Sequence, residues 1–208
     1  MKQTGDTETG VVFIVDDEEA VRDSIGLLLR SVGIRSRAFP DARAFLEAYR
    51  PQERGCVVLD IRMPRMSGME LQQELNRRGW AMPLIFITGH GDVPMAVEAM
   101  RAGAVDFLQK PFKDDELIRR VQKALEQDAK LREQLSSLEQ LRARFDSLTP
   151  REQEIAHLLA QGSANKVIAI DLGLSERTVE LHRAHIMQKM EARGLAQLVQ
   201  MLIQLKSG

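Results

Sequence analysis

The sequence predicts a doubly wound, five-stranded parallel α/β sheet, followed by a long helix and then an all-α helix-turn-helix domain. Three observations carry this. Short β-branched runs alternate with helix-like stretches about five times between Val11 and Leu125. From Leu117 to Leu148, apolar residues recur mostly at steps of three or four with no Gly or Pro between them. After Thr149 the texture changes to short helical stretches separated by glycines.

The strand candidates are Val11–Val15, a weaker Arg35–Phe39, Cys56–Leu59, Leu84–Thr88 and a weak Val105–Leu108. Between them lie helix candidates Ala20–Val32, Ala42–Tyr49, Met69–Arg77 and Met95–Arg101. The strands are apolar throughout, as expected when helices cover both faces of a sheet. Leu117, Val121, Leu125, Leu131, Leu135, Leu138, Leu141, Phe145 and Leu148 then form the stripe of one long amphipathic helix, or of two nearly continuous ones. A solvated spacer needs no such stripe, so this helix is expected to pack on something, such as its twin in a dimer. Thr149 suits an N-cap, Pro150 the first helical position, and Glu152 completes a capping box. That helix reaches about Gln161, with Gly162 just past its end. Asn165–Asp171 is a short helix, Gly173 the turn, Ser175 the cap of Glu176–Met190, and Leu195–Leu205 the last helix. Two helices joined by a short Gly-containing turn read as a helix-turn-helix. The expected domains are residues 10–125, a linker helix 126–148, and residues 149–208.

Composition narrows the function. The chain has 208 residues, 29 basic against 30 acidic, 44% hydrophobic and 28% charged. That is ordinary for a globular protein of one large or two small domains. A single cysteine excludes an internal disulfide framework and a four-cysteine zinc site. Cys56 begins a strand and is expected to pack as a small hydrophobe. Residues 1–10 lack the apolar core of a signal peptide, and no apolar run approaches the roughly 20 residues needed to span a bilayer. A cytoplasmic protein with no membrane partner is expected.

In parallel α/β sheets, ligands gather at the carboxyl ends of the strands. Here the first strand ends at Asp16-Asp17, the third at Asp60, the fourth at Thr88, and Lys110-Pro111 follows the fifth. Three carboxylates at one rim repel one another, and a bound divalent cation relieves this; all-oxygen ligation favours Mg²⁺. A carboxylate can attack phosphorus to give an aspartyl-phosphate, with Lys110 supplying positive charge and Thr88 a hydroxyl.

The segments Val15-Asp16-Asp17-Glu18, Leu59-Asp60-Ile61-Arg62-Met63-Pro64 with Ser67-Gly68, Ile87-Thr88-Gly89-His90, Gly103-Ala104 and Lys110-Pro111-Phe112 resemble the receiver domain of two-component response regulators. The resemblance covers about residues 10–125 and implies a flavodoxin-like sheet. It implies that Asp60 is the phosphoacceptor. Asp16, Asp17, Asp60 and the backbone carbonyl of Arg62 then hold Mg²⁺, while Thr88 and Lys110 read the phosphoryl group. Phe107 falls at the aromatic switch position; taken alone, it is equally an ordinary core residue. His90 is placed in a loop near the rim. Phosphatases that also form aspartyl-phosphate carry a second Asp two residues after the nucleophile, where this chain has Arg62. No catalytic residue and no enzyme turnover are therefore expected, beyond self-phosphorylation from a phosphodonor and slow autodephosphorylation.

Thr149-Pro150-Arg151-Glu152, Gly162, Asn165-Lys166, Ile168-Ala169, Leu174-Ser175, Thr178-Val179-Glu180 and His182-Arg183 resemble the LuxR-type helix-turn-helix. Both halves together, with Gly89-His90-Gly91-Asp92-Val93-Pro94-Met95-Ala96, are similar to the FixJ-type branch. Ala164 and His185 depart from it, where Ser and Asn are common, and either departure is expected to bear on a contact or on the target sequence. Helix Glu176–Met190 is expected in a major groove. Spacing puts Glu180, Arg183, Ala184 and Met187 on one face, with Leu181 and Gln188 adjoining. Lys166, Arg177, Thr178 and Lys189 suit phosphates by type. Val179, Ile186 and Met190 are the expected core face. His182 and His185 lack further metal ligands, and the resemblance makes His182 a structural or backbone-contacting residue. The last helix carries a stripe, Leu195, Leu198, Val199, Leu202 and Leu205, that serves either the domain core or a dimer contact. From Thr149 onward there are 7 basic and 6 acidic residues, so one copy attracts DNA weakly and paired binding is expected. The resemblance implies a transcription factor that a sensor histidine kinase phosphorylates, that dimerises, and that binds promoter DNA to regulate, and in this branch activate, RNA polymerase. Met95, Arg101 and Asp106 are candidates for the dimer face.

Overall fold

The computed structural model describes residues 10–89 and 93–207. The elements run β1 (Val11–Val15), α1 (Glu19–Ser31), β2 (Ser36–Phe39), α2 (Ala42–Ala48), β3 (Gly55–Asp60), α3 (Gly68–Arg77), β4 (Leu84–Thr88), α4 (Val93–Arg101) and β5 (Asp106–Gln109). Then follow α5 (Asp114–Asp146), α6 (Pro150–Ala160), α7 (Asn165–Leu172), α8 (Glu176–Lys189) and α9 (Leu195–Ser207). Among the described residues no helix is long and apolar enough to cross a membrane. Contacts divide the chain into two compact units, 1–131 and 132–208.

In the first unit all five strands pair in parallel, in the order β2-β1-β3-β4-β5. The order reverses at β1, and the crevice at such a switch point opens at the carboxyl ends of β1 and β3. Side chains alternate along each strand, so each face builds its own core. Phe13, Val15, Val57, Leu59 and Phe86 meet Phe45 of α2, Leu71 and Leu75 of α3 and Ala99 of α4. Val12, Ile14, Cys56, Val58, Ile85 and Ile87 meet Ile25 and Leu29 of α1 and Leu117 and Val121 of α5. Cys56 is fully buried, and burial pushes its thiol up to about 12, with nearby Asp128 adding to the rise. Asp41 caps α2, and Ser67 with Glu70 forms a full capping box on α3.

The second unit has one core, in which Ile155, Ala156, Leu159, Ile168, Val179, Ile186, Met190, Leu198 and Leu202 are buried. The Thr149–Glu152 capping box opens α6, Ser175 caps α8, and Gly173 takes the left-handed φ of 63° between α7 and α8. Leu198 and Leu202 of α9 are buried, with Leu195 and Leu205 packed alongside, so most of its stripe is domain core; Ile203 is exposed.

Element ends move by a residue or two from the sequence reading. The weakest strand shifts from Val105–Leu108 to Asp106–Gln109. The larger result concerns α5, which is one helix of 33 residues rather than two. Its first turns pack on the sheet, and Asp128, buried, accepts the Gly55 N–H at 2.9 Å. Near its other end, Leu141 and Phe145, with Leu148 just beyond, join the core of the second unit. Only the middle, with Leu131 and Leu135, exposes its leucines.

Candidate functional site

Strand ends place the acidic rim. Asp16 follows β1, Asp60 ends β3, Thr88 ends β4, and Lys110 follows β5. Asp16, Asp60 and Thr88 are buried, whereas Asp17 is exposed. The Lys110 ammonium donates to Asp16 Oδ2 at 2.9 Å and to Asp60 Oδ1 at 3.1 Å. Asp60 Oδ2 also accepts the Arg62 N–H at 2.8 Å, and Asp16 Oδ1 accepts the Glu18 N–H at 2.8 Å. Glu18 approaches Lys110 to 3.8 Å, and Arg22 donates to the Asp16 carbonyl at 2.7 Å. In the sequence reading Glu18 is part of the rim motif without a role of its own, and Arg22 is not named; Glu18 lies in the turn that leads β1 into α1, and Arg22 in the first turn of α1.

Burial raises the pKa of Asp60, and the Asp16 charge adds to this; the Lys110 hydrogen bond and charge and the Arg62 N–H oppose it. Burial alone would lower the Lys110 pKa, but its bonds to Asp16 and Asp60 outweigh that and raise it. The repulsion that the sequence assigned to three converging carboxylates is therefore met by Lys110 between two of them. Among the described residues, no three carboxylates, imidazoles or thiols already stand close enough to hold a metal. The donor set still fits a hard divalent cation: two carboxylates close enough to share one ammonium, Asp17 next in the chain, and backbone oxygen.

Gly68 shows how tightly the rim is built. A Cβ there would lie 2.3 Å from the Asp60 carbonyl oxygen, and the Gly68 N–H donates to the Ile61 carbonyl at 2.9 Å. Only glycine lets α3 begin this close to the end of β3. Phe107 is half-buried, packed against the α2–α4 core. It lines a groove with Val97, Met100, Arg101, Asp106 and Arg120. Of the face suggested from sequence, Arg101 is exposed and Asp106 is paired with Arg120. Met95 instead packs against the core, and Val97 and Met100 of α4 are exposed apolar residues. His90 and residues 91–92 of the loop motif lie outside the described residues.

In the second unit, Val179 and Ile186 of α8 and Met190 just past its end are completely buried. Arg177, Glu180, Leu181, Ala184 and Gln188 are exposed. Two residues differ from the sequence reading. Met187, placed on the outer face, packs against the core instead. Lys189, read as a phosphate contact, gives its ammonium to Glu152 at 2.7 Å. The outer face of α8 is thus centred about one residue from where spacing put it, and it includes His185, absent from the residues assigned to DNA. Arg183 is half-buried, 3.4 Å from Asn165 Oδ1, and Thr178 shares a 2.8 Å hydrogen bond with Ser175. Lys166 of α7 is exposed.

A family model for the response regulator receiver domain matches residues 12–122, and one for bacterial regulatory proteins of the luxR family matches residues 146–202. The chain belongs to the response regulators. Nodulation protein W of Bradyrhizobium diazoefficiens is 48% identical over 202 residues, 96% of this chain and 89% of that protein. Transcriptional regulatory protein FixJ of Azorhizobium caulinodans is 47% identical over 192 residues, 92% and 91% of the two. The solved structure of response regulator StyR superposes with a TM-score of 0.87 at 45% identity, covering 94% of this chain and 99% of that one. This response regulator joins a receiver through the long α5 to a LuxR-type DNA-binding domain, and it regulates transcription rather than acting as a classical enzyme. Receivers of this family generally bind Mg²⁺ at the acidic pocket. A kinase partner and promoter DNA follow from the two domains.

Proposed function

We propose that this response regulator takes a phosphoryl group from a sensor histidine kinase onto Asp60, dimerises, and binds promoter DNA to raise recruitment or activity of RNA polymerase. The observation that carries this is the Asp60 carboxylate at the end of β3, hydrogen-bonded to the Lys110 ammonium at 3.1 Å beside the buried Asp16. Asp60 attacks phosphorus, the phosphodonor keeps the bridging electrons, and a phosphoryl-aspartate forms. Lys110 exchanges its carboxylate partners for phosphoryl oxygens, and Thr88 donates its hydroxyl to another. Asp16, Asp17, Asp60 and the Arg62 carbonyl would hold Mg²⁺, which supplies positive charge at the phosphoryl oxygens.

Phosphorylation reaches the surface through Thr88 and Phe107. Phe107 borders the groove between α4 and β5, so its inward movement changes what Val97, Met100, Arg101 and Asp106 present to a second copy. Slow autodephosphorylation then resets the receiver, because Arg62 stands where an enzyme would carry a general acid. Helix α8 is the recognition helix, with Glu180, Leu181, Arg183, Ala184 and Gln188 toward bases and Lys166, Arg177 and Thr178 toward phosphates. Residues 10–125 act as receiver and 149–208 as DNA-binding domain, with 126–148 linking them and lending Leu141, Phe145 and Leu148 to the core of the second unit. A cytoplasmic site of action goes with this reading.

The test uses full-length protein with acetyl phosphate and Mg²⁺. Wild type is expected to gain one acid-stable, hydroxylamine-labile phosphoryl group, to shift toward dimer and to bind DNA more tightly. Asp60→Asn is expected to do none of these. Equal phosphorylation and dimerisation of Asp60→Asn would overturn the assignment.

A further inference from the structure

Helix α3 holds α4 by two side-chain amides. Gln72 is fully buried in the row that α3 turns to the core, with Gly68, Leu71 and Leu75. Its Nε2 donates to the Ala99 carbonyl of α4 at 3.1 Å. Its Oε1 is buried and accepts no hydrogen bond among the described residues. One turn on, Asn76 donates from Nδ2 to the Ala102 carbonyl, just past the end of α4, at 3.1 Å; that bond is exposed.

Stability alone does not account for Gln72. A buried amide oxygen without a donor costs folding free energy. Ala99 does not need the bond, because its carbonyl also accepts the Ala104 N–H at 3.0 Å. Leucine or methionine would fill a similar volume with no polar oxygen to satisfy. What the amide adds is direction: it fixes where the inner face of α4 sits on α3. Both helices lead to functional surfaces. α3 begins at Gly68, whose N–H donates to the Ile61 carbonyl at 2.9 Å and whose missing Cβ leaves room for the Asp60 carbonyl. Gln72 stands one turn further along the same helix face. α4 carries Ala99 on its buried side and Val97 and Met100 on its exposed side, so the tie lies behind the apolar part of the groove that Phe107 lines.

We propose that Gln72 is a positioning residue of the phosphorylation switch: it latches the inner face of α4 to α3 in the unphosphorylated protein, and activation moves α4 off this bond. This rests on the reading of the α4–β5 groove as the phosphorylation-dependent dimer face. The latch biases the equilibrium between two placements of α4 and takes no part in the chemistry at Asp60. One hydrogen bond is weak enough for phosphorylation to open, yet strong enough to shift that equilibrium several-fold. Opening it leaves the Ala99 carbonyl still bonded to Ala104, so only the amide loses a partner. The latch thus adds a link through α3 to the one through Thr88 and Phe107, and it restrains α4 from the side opposite the dimer face.

The experiment measures the dimerisation constant of full-length protein by sedimentation equilibrium, in Mg²⁺ with and without beryllofluoride, for wild type, Gln72→Met and Gln72→Leu. Both replacements keep a similar volume and remove the amide. Calorimetry follows the receiver transition, which both variants are expected to keep or raise, because the unpartnered oxygen is gone. Without beryllofluoride, both are expected to dimerise about 2- to 10-fold more tightly than wild type. With beryllofluoride, they are expected to match wild type, so the gain on activation shrinks by the same factor. Dimerisation unchanged in both conditions, or changed equally in both, overturns the latch while leaving the dimer face intact. A receiver transition lowered in both variants also overturns it, since the amide would then serve the fold and not the switch. A wild type that beryllofluoride does not drive to dimer overturns the reading of the groove and the latch together.

Discussion

Leu141 lies in the segment that the sequence marks as linker, yet it is 7% exposed and belongs to the core of the second unit with Ile155, Leu159 and Leu198. Substituting Leu141→Ala therefore perturbs the DNA-binding domain, not a spacer. The change removes three carbons from a nearly closed site. Transfer of those atoms to water costs about 2–2.5 kcal/mol at roughly 0.8 kcal/mol per methylene. A residual cavity adds to this, while slight exposure and the better helix propensity of alanine subtract a few tenths each. A net loss of about 2–3 kcal/mol is expected. In a unit of this size, each kcal/mol lowers Tm by roughly 4–8 °C, so its transition falls by about 10–20 °C. Differential scanning calorimetry of the full chain is the assay. Leu198→Ala identifies the transition of the second unit and Ile85→Ala that of the receiver. A Leu141→Ala protein whose second-unit transition moves by less than about 3 °C would refute the reasoning.

Other outcomes follow from single contacts. Gly55→Ala sets a Cβ 1.8 Å from the Val11 carbonyl oxygen at a φ of +155°, so β1 and β3 cannot keep their register; loss of soluble receiver, or a large drop in its transition, is expected. Gly68→Ala pushes on the Asp60 carbonyl from 2.3 Å and is expected to slow phosphorylation by acetyl phosphate more than it lowers Tm. Asp60 has a folded pKa raised chiefly by burial, so its ionisation opposes folding: that penalty sets in as pH rises through the window above the usual carboxylate value and is complete above it. In chelator-containing buffer, Asp60→Asn is expected to raise the receiver Tm at neutral pH, with the gain shrinking as pH falls toward about 4, the unfolded carboxylate pKa, and gone below it; a gain that grows toward acid pH contradicts it. Lys189→Ala removes the cationic partner of Glu152, so stability of the second unit is expected to fall while the salt dependence of DNA binding is unchanged. A slope shallower by about one ion would show Lys189 on phosphate after all.

The alternation of strands and helices was legible because apolar periodicity is a local property. So were the caps at Thr149 and Ser175, where the side chain bonds a backbone N–H only three residues on. Asp16, Asp60, Thr88 and Lys110 were legible for a related reason: each ends or follows a strand, and parallel strands deliver their carboxyl ends to one rim. What sits between those residues was not. Only folding across the sheet brings the Lys110 ammonium between two carboxylates, so charge balance at the rim cannot be counted along the chain.

The sequence by itself determined the kinds of element, their order, and the chemistry carried to the rim and to α8. Tertiary structure decided where each element faces. An apolar stripe reads the same on a free spacer as on a buried face, and only the packing of Leu117 and Leu141 into separate cores shows that both ends of α5 belong to domains. Likewise, a lysine near a helix end suits phosphate by type, but Glu152, 37 residues away along the chain, holds Lys189 and leaves His185 on the open face. These outcomes depend on contacts between distant segments, whose geometry exists only once the cores have closed.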